Sequence, residues 1–232
     1  MKNRSKSSTV LAVIQALVSI LVIPLAPLLI SGRWGWWEAW AFAALSIGGF
    51  IISRLLAAKR NPDIIAERAQ FGQQTDAKPW DKILAPLVGL GGGLVPVTAG
   101  VEALLGQQVD FSLAVELAAG ILMLAAYIFS AYALIENRFF SGVVRIQKDR
   151  GQRVISSGPY RWVRHPGYAG ALITYLAIPF FLDSVWAFVP AVIICIAMVI
   201  RTRLEDETLQ AELEGYRAYT QRVRYRLIPG VW

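Results

Sequence analysis

Charge is scarce in this 232-residue chain: Asp, Glu, Lys and Arg together make up 17%, against about 25% in an ordinary soluble domain. There is one cysteine, Cys195, and one histidine, His165. A single cysteine excludes an intramolecular disulfide and a cysteine-bound metal cluster, so no metal is expected. No stretch is rich enough in Pro, Gly or Ser to separate domains, and there is neither an internal repeat nor a low-complexity tract. The one glycine run, Gly89-Leu-Gly-Gly-Gly93, fails the GxGxxG spacing of a nucleotide loop, because Leu94 or Pro96 stands where the last glycine is required. It lies in an apolar segment, where small residues let helices approach closely.

What the chain has in abundance is apolar residues, 56% of the total, with a mean hydropathy of +0.49. Six runs stand out: Thr9–Ile30, Trp36–Ile52, Ile83–Leu105, Phe111–Ile135, Pro166–Leu182 and Val185–Ile200. A helix rises about 1.5 Å per residue and the hydrocarbon layer is about 30 Å thick, so roughly twenty apolar residues cross it. The first run follows Lys2, Arg4 and Lys6 but is longer than the apolar core of a signal peptide, about 7–15 residues, and reads as a retained span. The last two runs are short, separated only by Asp183 and Ser184, and contain Pro179 and Pro190. They read as a tight helical hairpin with kinks. The expected fold is all-α, a polytopic membrane protein of about six spans in a single domain.

The net charge of +7 and the pI near 9.8 could suggest nucleic acid, but the placement of the charges points to a membrane surface. Every basic residue except Arg33 falls in the N-terminal tail, in 54–82, in 136–165 or beyond residue 200. Six spans put all four segments on one face. The positive-inside rule then places both termini in the cytoplasm. Trp34, Trp36, Trp37 and Trp40 read as an aromatic belt at the opposite interface. Asn61–Trp80 reads as a short amphipathic helix and turn. Glu38, Glu102 and Glu116 lie near span ends, within reach of water, and read as structural.

The chemistry concentrates in 147–170. Gly158-Pro159 forms a turn among Tyr160, Trp162, Tyr168 and the sole histidine. Pro166 suits the first position of a helix, whose free N–H groups and positive dipole end favour an anionic ligand group. Arg201 and Glu205, four residues apart, share one helix face at the cytoplasmic lip. Taken alone, His165 could be an interfacial cap. Arg201–Glu205 could be an ordinary surface ion pair on a solvated face with Arg203, Asp206 and Glu207.

The run Gly158-Pro-Tyr-Arg-Trp-Val-Arg-His-Pro-Gly-Tyr-Ala-Gly170 resembles the signature of the isoprenylcysteine carboxyl methyltransferase family and its prokaryotic relatives. So does the closing pattern, Arg201-x-x-x-Glu205-x-x-x-Leu209, then Gly215-Tyr216-x-x-Tyr219 and Arg224–Gly230. The likeness covers about 140–232 and treats 1–135 as membrane helices ahead of a cofactor-binding and catalytic region. It implies that Gln147, Gln152, Arg153, Val154, Ile155, Tyr160, His165, Pro166, Tyr168 and Glu205 bind S-adenosyl-L-methionine. It also implies that Arg201 holds a substrate carboxylate, with Arg201 and Glu205 as the catalytic pair. Gln152 departs from the histidine common in relatives, and the chain is slightly shorter between Leu213 and Tyr216 than in the eukaryotic enzymes. The implied partners are the bilayer and a lipophilic or prenylated acceptor. The implied home is a bacterial inner membrane. Competing readings are a phospholipid or amine N-methyltransferase, an NADPH-dependent sterol or lipid reductase, and a non-enzymatic scaffold or transporter.

Overall fold

The structure, a computed structural model, describes residues 18–70 and 74–232. Lys2, Arg4, Lys6 and the start of the Thr9–Ile30 run lie outside the described residues. Among the described residues all regular structure is helical. A π-helical turn, Val18–Val22, leads into α1 (Ile23–Ser31); α2 (Trp37–Arg60) and the short α3 (Asp63–Ala69) follow. Next come α4 (Asp81–Gly91), α5 (Leu94–Leu104) and α6 (Leu113–Glu136). A long irregular segment then leads to α7 (Pro166–Phe181), α8 (Phe188–Glu212) and α9 (Tyr216–Arg222).

Three helical stretches are long and apolar enough to cross a membrane: Trp37–Arg60, Asp81–Leu104 and Leu113–Glu136. Ile20–Ser31 and Pro166–Phe181 are shorter apolar helices. The 16 residues of α7 reach only about 24 Å at about 1.5 Å per residue. Helix α8 begins at Phe188 and continues unbroken to Glu212. Arg201 and Glu205 therefore sit in mid-helix. Pro190 falls in the first turn of α8, where it is tolerated, and Pro179 lies inside α7.

The run read as one span at Ile83–Leu105 is interrupted at Gly92–Gly93, between α4 and α5. Pro96 has no N–H for the carbonyl four residues back, and the glycines allow other helices to come close. A Cβ on Gly92 would lie 2.2 Å from the Tyr175 hydroxyl of α7, and one on Gly91 would lie 2.6 Å from Ile194 of α8. A Cβ on Gly170 of α7 would meet Ser130 Oγ at 2.2 Å and the Ala126 carbonyl of α6 at 2.7 Å. Gly91 and Gly92 are packing residues, as their place in an apolar run suggested, and Gly170 of the 158–170 motif is another. Leu28, Phe42, Val95, Met123, Ile178 and Phe181 fill the main core. Trp36 belongs to that core too, 6% exposed, while Trp34, Trp37 and Trp40 are exposed.

At the end remote from most basic residues, the carboxylates of Glu38, Glu116 and Asp183 lie within 4.8 Å of one another. Glu102 accepts hydrogen bonds from Ser184 Oγ and from the Trp186 N–H (3.1 Å), tying α5 to the start of α8.

Candidate functional site

The basic end of the bundle is built on arginines that point inward. Arg145, Arg164 and Arg201 are each buried, and each is held by a carboxylate through two of its nitrogens. Burial makes an unpaired charge costly, so the planar guanidinium fork is satisfied in place. Arg145 joins Glu67 (3.1 and 3.0 Å) and also reaches Asp76 and Asp149. Arg201 donates from Nε to Asp81 Oδ1 (2.7 Å) and from Nη2 to Oδ2 (3.0 Å) and to the Gly142 carbonyl (3.0 Å). Asp81 also accepts from the Val144 N–H at 2.6 Å. The irregular segment at Gly142–Val144 is thereby pinned to α4 and α8.

The centre of this end is Asp206, wholly buried. Its Oδ1 accepts from Arg164 Nε (2.7 Å) and the Tyr216 hydroxyl (3.0 Å), and lies 3.3 Å from His165 Nε2. Its Oδ2 accepts from Arg164 Nη2 (3.0 Å), Arg226 Nε (2.9 Å) and Gln210 (2.8 Å). Burial pushes the Asp206 carboxyl up, but hydrogen bonds from His165 and Arg164 outweigh it and hold the group well below the usual carboxylate range. Burial, with the Asp206 charge beside it, pushes the Tyr216 phenol well up, so it remains a donor. The chain after α9 closes the arrangement: the N–H groups of Arg164 and His165 donate to the carbonyls of Tyr225 and Arg226, both at 2.9 Å. The Tyr219 hydroxyl donates to the Tyr160 carbonyl at 2.6 Å. His165 precedes Pro166, the first residue of α7, as the sequence suggested, and its carbonyl accepts from the N–H groups of Tyr168 and Ala169.

Above this floor opens a cleft of about 800 Å³, counting its mouth. Gln147, Gln152, Arg153, Val154, Ile155, Tyr160, His165, Tyr168 and Glu205 all line it, with Leu209, Leu213, Tyr216 and Tyr219. Of the expected cofactor residues only Pro166 stays out of the lining, buried at the start of α7. The His165 and Tyr168 rings are near-parallel, 5.9 Å apart. The Tyr168 hydroxyl donates to Glu205 Oε2 at 2.6 Å. Glu205 Oε1 takes no hydrogen bond among the described residues. Gln147 is 1% exposed; it donates to the Phe139 carbonyl (2.7 Å), and its own N–H donates to Gln152 Oε1 (2.7 Å). Both glutamines hold the loop that forms this wall.

Arg201 stands beside the cleft, its guanidinium 5.3 Å from the centre of the Tyr168 ring. It is not ion-paired with Glu205. The surface i,i+4 pair on this helix is Arg203–Glu207, at 2.8 Å. The alternative of a solvated face fails at Asp206, which is wholly buried and the most engaged carboxylate of the site. Asp81, Glu67 and Asn137, which donates to the Tyr160 hydroxyl at 3.1 Å, stand outside the sequence motifs as well. One signal was available: buried Arg164 and His165 in one motif demand an acid.

Residues 113–214 match a family model described as phospholipid methyltransferase. The match runs from α6 to just past α8, less than half of the chain, and takes in the first cleft wall and Glu205. Over that stretch the chain is similar to a family of membrane methyltransferases. No curated protein matches the chain.

Proposed function

We propose that this protein is a membrane-embedded, S-adenosylmethionine-dependent methyltransferase that acts on a lipophilic acceptor. The observation that carries the reading is the cleft. Nine residues singled out for cofactor contact, drawn from three separate parts of the chain, line one cavity, and Glu205 offers it a carboxylate oxygen that has no donor among the described residues. The similarity of 113–214 to phospholipid methyltransferases supports it.

The donor set suits the cofactor. Glu205 Oε1 can accept from an amino or hydroxyl group, Tyr160 and the paired His165 and Tyr168 rings offer flat faces, and Val154, Ile155, Leu209 and Leu213 give an apolar wall. When bound, S-adenosylmethionine supplies an electrophilic methyl group on a sulfonium that leaves uncharged. The protein's part is to bind, align and keep water out, with reacting atoms held about 3–3.5 Å apart. Tyr168 orients Glu205, and Asp206 orients His165. Both termini lie in the cytoplasm in this reading, with the cleft on that side.

For the acceptor, the reading is a carboxylate, which needs no base at neutral pH and meets Arg201 Nη1, the terminal nitrogen not given to Asp81. A second reading is favoured because, among the described residues, no cation pairs with Glu205: a lipid amine, which must lose a proton, would find there a carboxylate held only by the Tyr168 hydroxyl. Methyl-labelled cofactor and membrane lipids separate the two, because a methyl ester releases methanol in base and an N-methyl group does not.

Calorimetric titration of detergent-purified protein tests the class. S-adenosylhomocysteine is expected to bind and Glu205→Ala to weaken it at least about tenfold, which is about 1.4 kcal/mol. Binding of NADPH in its place would move the protein to the reductases.

A further inference from the structure

Two partly buried arginines at the basic end break the rule that Arg145, Arg164 and Arg201 obey. All sixteen acidic residues lie in the described part of the chain, yet among the described residues no carboxylate comes within ion-pair distance of Arg54 or Arg68. Both are partly buried. Arg68 has only the Phe140 carbonyl (3.3 Å) and the face of the Phe140 ring (5.4 Å). Arg54 lies against the Phe50 ring at 4.6 Å. Burial pushes the Arg68 guanidinium down to about 10, and the nearby Arg201 cation adds to this. Two neighbouring cations in a poorly solvated place call for an anion that the protein does not supply.

Their surroundings say what kind. Arg54 lines a second, larger cleft of about 1250 Å³ with its open side included, running between α1, α2, α6 and α7 past the Gly92–Gly93 break. Its walls are apolar apart from a few hydroxyls, among them the Ser46–Tyr127 pair at 3.1 Å. Phe140 and Gly167 line both clefts. A Cβ on Gly167 would lie 2.6 Å from the Phe140 ring, so that ring rests directly on the backbone where the two spaces adjoin. Arg68 covers the same ring. An apolar channel among the helices thus ends at Arg54 and at the Phe140 ring that Arg68 covers, next to the cleft that holds Glu205.

We propose that Arg54 and Arg68 receive the phosphate or carboxylate headgroup of an acidic lipid whose hydrocarbon chain lies in the cleft between α1, α2, α6 and α7. The site selects the acceptor by headgroup charge and brings that headgroup to Phe140, beside the cofactor cleft. That the bound lipid is the methyl acceptor rests on the methyltransferase reading; the anion site itself rests on the two arginines and the channel.

Native mass spectrometry of the detergent-purified full chain tests it with dioleoyl phosphatidic acid, oleate and the neutral dioleoylglycerol, and with inorganic phosphate as the chainless anion. Wild-type protein is expected to bind at least one of the two acidic lipids tenfold or more tightly than dioleoylglycerol. The tighter of the two identifies the headgroup. R68Q and R54Q should each lower acidic-lipid affinity severalfold and together bring it to the neutral-lipid level, with R68K retaining most of it. S-adenosylhomocysteine binding should be unchanged in all of them. Equal binding of acidic and neutral lipids by the wild type overturns the proposal, a result that needs no variant to fold. So does undiminished acidic-lipid binding in the double variant, or inorganic phosphate binding as tightly as phosphatidic acid. Failure of the wild type to bind S-adenosylhomocysteine while it still prefers acidic lipid would remove the methyltransferase reading and leave the anion site standing.

Discussion

The apolar helices and the basic end solve the packing problem in opposite ways. Between α6 and α7, and where α4 meets α5, helices approach because side chains are missing: Gly170 sits on the Ala126 carbonyl and Gly92 on the Tyr175 hydroxyl. At the basic end, elements far apart in sequence are held by groups that are present and charged. Asp206 joins Arg164, His165, Tyr216 and Arg226, while Asp81 joins Arg201 to the Val144 backbone. The first region should tolerate loss of a methyl group better than gain of one. The second should tolerate neither loss of a carboxylate nor a shift in its position. The cleft on the charged side inherits that rigidity, since the groups that shape it are held by these bonds without any ligand.

The sharpest way to break the contrast is Asp206→Ala. It leaves Arg164 buried with no counter-charge, only the Val223 and Arg224 carbonyls, and removing one member of a buried pair costs about 3–5 kcal/mol. Thermal unfolding in detergent should show the largest loss of any single substitution here, with loss of S-adenosylhomocysteine binding. The same group sets an acid limit. Its folded pKa lies below its unfolded value, about 3.9, so the stability it contributes is complete above that value. That stability is lost as the pH falls below it. Wild-type unfolding midpoints should hold from neutral pH to about pH 5 and then drop, whereas Asp206→Ala should show a smaller acid-induced drop than wild type. An equal drop would mean that other carboxylates set the limit.

Next in size is the reverse experiment in the apolar region. Gly170→Ala adds one methyl group where Ser130 Oγ can turn aside but the Ala126 carbonyl cannot. Overpacking of this kind costs about 1–3 kcal/mol. The unfolding midpoint should fall while S-adenosylhomocysteine affinity stays within about twofold, given that Gly170 is outside the cleft lining. Loss of both together would mean that α6 and α7 position the cofactor site more directly than the contacts indicate.

How far each region was legible follows the same division. Hydropathy marks the helices because apolar burial is written locally, residue by residue, and Tyr160, His165, Tyr168 and Glu205, legible as a motif, line one cleft, with Arg201 beside it. Partners were not legible. Arg164 and Asp206 are 42 positions apart and Arg201 and Asp81 are 120; no local pattern couples them. Asp206 stands between Glu205 and Glu207 in a run that looks solvated, and only the rotation of α8 decides which of the three turns inward. The helix break at Gly92–Gly93 was also hidden, since its glycines fit a continuous span equally well until Tyr175 and Ile194 are brought against them.

The smallest effects separate the neighbours in that run. Glu205→Gln keeps the shape of the side chain and removes its charge, so stability should hardly change while S-adenosylhomocysteine affinity falls about tenfold, about 1.4 kcal/mol. Two positions away, Arg203→Ala breaks an exposed pair on the outer face of the same helix, worth about 0.2–0.5 kcal/mol, and should leave both midpoint and affinity nearly unaltered. Asp206, Glu205 and Arg203 thus span four residues of α8 and the whole range from structural collapse, through loss of ligand, to silence. Were Arg203→Ala to weaken the ligand as much as Glu205→Gln, the cleft would extend around the helix, and its separation from the solvated face would be wrong.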